Sequence, residues 1–182
     1  IGRARYIATN IDVRNHRSTI LNLPLHLSTI ADAYKAAQTL VDMATAQAKA
    51  QAEARDEKEI ASLQEAYGKG ATGRGMATGG AKAVKELEKE QKSRTTRMVR
   101  DSIDGALLDI ATFFRDVMMV QAGATDTLIN TDMTDVITAY AHKTTPHSTV
   151  RKVNAIMKAR THLSQNAAPL LTCEALMCQI AN

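Results

Sequence analysis

Aromatic side chains are scarce in this 182-residue chain: two Phe, four Tyr and no Trp. A stacking platform for single-stranded nucleic acid needs a series of aromatic rings, so that class of binder is disfavoured. Gly (nine) and Pro (three) are also few, which argues against a many-turned β-sandwich or barrel. Only two cysteines occur, Cys173 and Cys178. Five residues apart on a helix they point to different faces, so no mutual disulfide is expected. Reduced thiols and a cytoplasmic setting are the simple reading. No apolar run approaches the ~20 residues that span a bilayer, and no signal peptide is visible.

What is present points to helices. Hydrophobic residues make up 45%, enough for a real core. Ala, Gln, Glu, Lys, Arg, Leu and Met dominate, and all are helix formers. The expected fold class is all-α: a helical bundle in one domain, or one domain with a remnant of another. The chain opens on Ile1 rather than Met, which reads as a fragment. Lys and Arg total 23 against 19 Asp and Glu, a net charge of +4 with a pI near 9.1. That balance permits an acidic partner without demanding one.

Residues 1–9 (IGRARYIAT) read as the end of a helix, with Asn10 as a cap for a short helix over 11–22. Pro24 breaks it. Ser28 or Thr29 then starts a long helix in which Ile30, Tyr34, Ala37, Val41 and Ala44 form an apolar stripe. Beyond Ala44 the helix propensity stays high but there is little except alanine to bury. Residues 68–80 (GKGATGRGMATGG) hold six of the nine glycines and form a turn tip. A second long helix follows over about 81–121, carrying Ile103, Leu107, Ile110, Phe114 and Val117 at helical intervals, the strongest amphipathic signal in the chain. Residues 44 to about 98 are therefore expected to form a projecting antiparallel hairpin, marginally stable because its contacts bury few CH₂ groups. Gly123 ends the second helix. Thr131 or Asp132 caps another helix. Pro146 opens the next, with Val150, Val153, Met157, Arg160 and Leu163 on its face. Asn166 caps the last helix, with Pro169 in its first turn.

The search for chemistry is mostly negative. The glycine-rich tip carries Lys69 and Arg74, but no strand precedes it and no Gly-Lys-Ser/Thr ends it, so a mobile tip is the reading rather than a phosphate cradle. His16, His26, His142, His147, His162 and the two cysteines show no metal-ligand spacing. Cys173 sits beside Glu174 without a histidine base. No catalytic, cofactor or metal site is expected, and the chain does not read as an enzyme. The basic stretch KSRTTRMVR is the one candidate contact. Arg94, Arg97 and Arg100 lie three apart on a drifting helical face, with Lys92 just before them. They read either as a partner or phosphate contact or as a solvated helix face. Without aromatics, any nucleic-acid contact would be to backbone phosphates.

Three stretches resemble the C-terminal part of the bacterial DNA polymerase III clamp-loader delta-prime subunit, particularly its actinobacterial form. They are IGRARYIAT at the start, LEKEQKSRTTRMVRDSIDGALLDIATFFRDVMMVQAG over 87–123, and THLSQNAAPLLTCEAL over 161–176. The resemblance implies a non-catalytic subunit of a pentamer that opens a sliding clamp and closes it on primed DNA during replication. Residues 1–10 would be the end of an AAA+ lid domain and 11–182 a helical collar domain. The implied partners are the gamma/tau and delta subunits, met through collar faces, with DNA met through the intact complex. The lid arginine that reaches nucleotide in AAA+ ATPases aligns at Gly2, with Arg3 and Arg5 close by. The resemblance also implies a cytoplasmic protein. A stand-alone helical scaffold with a coiled-coil-like arm, or a nucleic-acid-binding module using 92–100, is the alternative.

Overall fold

The computed structural model describes residues 11–68 and 79–182. The expectations for residues 1–10 (the lid end, the Asn10 cap, and Gly2, Arg3 and Arg5) lie outside the described residues, as do those for tip residues 69–78, including Lys69 and Arg74. Among the described residues there are six α-helices, three short 3-10 turns and no strand. The fold is all-α, as composition and periodicity indicate.

The helices are α1 (Ile11–Asn22), α2 (Ile30–Ala66), α3 (Gly80–Gln121), α4 (Thr134–Lys143), α5 (Pro146–Ser164) and α6 (Pro169–Ala181). They divide into two compact units: one formed by the chain through Val41 together with Ile103–Asn182, the other by Asp42–Ser102. The long helices α2 and α3 each contribute to both.

Local chemistry sets the boundaries. Thr29 is the cap of α2. Its Oγ1 accepts from the Asp32 backbone N–H at 3.1 Å, and Asp32 Oδ2 accepts from the Thr29 N–H at 2.9 Å, a reciprocal capping box. Gly123 ends α3 with φ 76°, the Ala124 N–H reaching back to the Met119 carbonyl at 2.8 Å. Thr145 accepts from the Ser148 N–H at 3.2 Å, and Pro146 follows where its missing N–H does no harm. Asn166 departs from expectation. It does not cap α6, whose first flanking residue, Ala168, makes no side-chain cap. Instead it takes the left-handed conformation (φ 65°) that closes α5, with the Ala167 N–H on the His162 carbonyl at 3.0 Å. Asn is one of the few non-glycine residues that adopts this geometry readily.

The first unit holds the large apolar core. Ile103, Leu107, Ile110, Phe114 and Val117, the stripe anticipated on α3, are all fully buried. Both phenylalanines and Tyr140 of α4 pack edge to face, with ring centroids 5.3–5.8 Å apart. Ile156 and Leu163 of α5, and Leu176, Met177 and Ile180 of α6, complete the core.

Two helices present a different face from the one their large apolar residues suggest. On α2, Ala33, Ala36, Ala37 and Leu40 are buried, while Ile30 and Tyr34 are 68% and 49% exposed. Small residues allow close helix approach, because interaxial distance follows side-chain size at the contact. On α5, Thr149, Lys152, Ile156, Ala159 and Leu163 are buried, while Val150 and Met157 are 45% and 39% exposed. Lys152 points inward because its Nζ donates to the Ile180 carbonyl, where the negative end of the α6 dipole favours a cation.

The second unit is an antiparallel helical hairpin. Gln47 meets Ser102, Asp56 meets Arg94, and Glu59 meets both Gln91 and Arg94. Its seam is built from Ala44, Ala48 and Ala52 on α2 and buried Gln91 on α3.

Candidate partner interface

The four basic residues singled out in the sequence do not share one environment. Lys92 and Arg97 are exposed, and Arg94 and Arg100 are half-buried. Arg94 is committed inside the hairpin: its Nη2 lies 2.8 Å from Asp56 Oδ1 and 2.5 Å from Glu59 Oε2. Gln91 joins the cluster, donating to the Asp56 carbonyl at 3.0 Å and to Glu59 Oε2 at 3.1 Å. The hydrogen bond from Arg94, then that from Gln91, holds the Glu59 carboxyl below its ordinary pKa, and Glu59 in turn raises that of Arg94. Thus Arg94 clamps α3 to α2, and Lys92 and Arg97 are the members left on the surface. Spacing along α3 alone could not separate them, because the decisive partners stand on another helix.

Apolar side chains on the first unit offer a second kind of contact. Val150 and Met157 are seven residues apart on α5, and Ile30 and Tyr34 are four apart on α2, so each pair lies on one helical face. Both pairs are exposed on helices whose other faces are buried. Leu171 on α6 is exposed as well.

The perturbed titratable groups serve local structure. Asp116 is fully buried on α3. It accepts from the Ile129 and Asn130 backbone N–H groups at 2.9 and 2.7 Å, from Asn130 Nδ2 at 2.8 Å and from Arg115 Nη1 at 2.8 Å. Burial alone would raise its pKa, but these donors outweigh it and hold the carboxyl below the ordinary value. Arg17 of α1 donates to Asn130 Oδ1 and lies 3.5 Å from Asp109, so the segment after α3 is tied to two helices. Cys173 is fully buried in the core, and burial, then Glu174, pushes its thiol up to about 12. Burial, then Arg151, lowers the Lys152 pKa. Among the described residues there is no group of three or more His, Cys, Asp or Glu placed to hold a metal ion, and no helix is long and apolar enough to cross a membrane.

Residues 100–180 match the family model of the DNA polymerase III delta subunit, C-terminal region. The match supports a clamp-loader subunit with a role in DNA replication. No curated protein and no solved structure matches the chain.

The segment similar to the delta subunit begins on α3, takes in α4 and α5, and ends near the close of α6. It therefore includes the buried α3 stripe, the Asp116 network and the exposed Val150 and Met157. Arg100 is the one residue of the basic quartet inside it. The matched family is named for delta, whereas the resemblance read from the sequence pointed to delta-prime. Nearly all of the hairpin unit falls outside the matched residues.

Proposed function

We propose that this chain is a non-catalytic assembly domain of a clamp-loader subunit, of the delta-prime type, supporting the loading of the sliding clamp onto primed DNA. The observation that carries the reading is the match over residues 100–180. The exposed apolar pairs support it, since a domain held in a ring must keep apolar helix faces for its neighbours. The delta-prime assignment rests on the stretches 87–123 and 161–176, and delta is the competing assignment. The partners on this reading are the gamma/tau and delta subunits, with DNA reached through the intact complex in the cytoplasm. Residues 44–98 act as an arm added to a collar, and residues 1–10 as the end of a lid.

Reconstitution tests the reading. The chain, mixed with gamma/tau and delta, should co-elute as one complex. Val150→Asp with Met157→Asp should weaken co-elution without loss of helicity by circular dichroism. A chain that completes a complex lacking delta, rather than one lacking delta-prime, would transfer the assignment to delta. Failure to join either complex would remove the clamp-loader reading. Replacing residues 48–92 with a short linker should weaken complex formation or DNA-stimulated loading.

A further inference from the structure

A groove of roughly 1070 Å³ lies along one flank of the hairpin unit, between α2 and α3. Leu63 and Leu87, both half-buried, line it together with Ala54, Ala66 and Ala83. Two helices bury one seam between them and leave such a flank uncovered, whereas four helices enclose a core.

The borders of the groove differ in charge. The α2 border carries Lys58, Arg55 and Glu59, of which Glu59 is paired with Arg55 and Arg94 so that Lys58 is its unpaired charge, and the α3 border carries Glu86 and Glu90. Arg55 leans on Asp56 and Glu59. Lys58, Glu86 and Glu90 are exposed and make no ion pair among the described residues. The Asp56–Arg94 and Glu59–Gln91 contacts set the hairpin register. In that register Lys58 and Glu90 sit on opposite borders, within ~3 Å of the same level along the axis at 1.5 Å per residue.

We propose that the occupant of this groove is the same groove of a second copy of the chain, the two hairpins closing into a four-helix bundle. The charge pattern selects the symmetry. A two-fold axis parallel to the helices lays the basic α2 border of each copy over the acidic α3 border of the other. It brings Lys58 level with Glu90 of the second copy, twice by symmetry, and gathers four leucines in the centre. A two-fold axis across the groove sets basic border on basic border and acidic on acidic, which like-charge repulsion disfavours. The inference uses only the hairpin unit and does not depend on the clamp-loader reading.

Sedimentation of the full chain over a concentration series tests it. The expected result is a concentration-dependent dimer. Lys58→Glu and Glu90→Lys should each raise the dissociation constant about tenfold, the scale of losing two exposed ion pairs. The double variant K58E/E90K, which restores opposite charges across the interface, should recover most of that loss. Leu87→Asp should give a monomer of unchanged helicity. A wild-type chain that stays monomeric at every concentration while fully helical would overturn the proposal. So would a dimer that the single charge reversals leave intact, or that the double variant fails to restore.

Discussion

Arg160 on α5 holds Asp104 on α3 through two parallel hydrogen bonds, Nε to Oδ1 at 2.7 Å and Nη2 to Oδ2 at 2.9 Å. This fork-on-carboxylate geometry belongs to arginine, and lysine cannot reproduce it. Both side chains are partly exposed, so solvent screens the pair. Arg160→Lys is expected to cost about 0.5–1 kcal/mol of stability. A double-mutant cycle with Asp104→Ala, followed by urea unfolding, should return a coupling energy of that size. Zero coupling would show the pair to be incidental.

Asp116 carries a larger expectation. Asp116→Ala removes the acceptor for the Ile129 and Asn130 backbone N–H groups, leaving the buried Asn130 N–H without a partner and the Asn130 amide with only its longer bond to Thr112 Oγ1 at 3.3 Å. The expected loss is about 2–4 kcal/mol. The pH dependence has a definite sign. A carboxyl whose folded pKa lies below its unfolded value contributes fully above the unfolded value, about 3.9. That contribution is lost as the pH falls from there through the folded value. The stability gap between wild type and variant should therefore be widest near neutrality and shrink below about pH 4. A gap that widens on acidification would contradict the network.

The left-handed Asn166 makes a local prediction. Asn166→Gly should be tolerated or slightly stabilising, because glycine adopts φ 65° without strain. Asn166→Ala should cost about 1 kcal/mol for placing a Cβ in that region. Thermal melts of the two variants should differ in this order, and equal melting temperatures would show that the turn can relax.

The basic stretch should divide in two. Arg94→Ala breaks contacts to Asp56 and Glu59, so proteolysis within residues 42–102 should become several-fold faster. Lys92→Ala with Arg97→Ala removes only exposed charge, and its cleavage rate should match wild type. If these two residues touch phosphates, the same pair of substitutions should also flatten the salt dependence of any DNA binding. Equal cleavage rates for the two variants would mean that Arg94 is not the clamp.

Much of the fold was legible from residue order. The α3 stripe at 103, 107, 110, 114 and 117 follows the helical repeat, and every member is buried. Gly123 and Pro146 mark boundaries for reasons confined to their own backbones. Asn166 ends α5 rather than starting α6: an Asn between two helices suits either task, and only its φ decides. On α5, hydrophobicity pointed to Val150 and Met157. The buried face instead includes Lys152, whose ammonium meets the carbonyl end of α6. No pattern within α5 could announce a partner 28 residues away. The candidate contact residues divided for the same reason: Arg94, Arg97 and Arg100 look equivalent until Asp56 and Glu59 are placed opposite one of them.

By itself the sequence determined that this protein is helical, where its longest amphipathic face lies, and that its C-terminal stretch resembles a DNA polymerase III clamp-loader subunit. Helical period, propensity and turn chemistry act over a few neighbouring residues, so they survive in a linear string. The tertiary structure decided which of two possible faces α2 and α5 bury, which arginine serves the hairpin, and which carboxylate closes the segment after α3. Those outcomes depend on registers between helices far apart along the chain, where small residues permit close approach and a charge takes whichever opposite charge the packing brings to it.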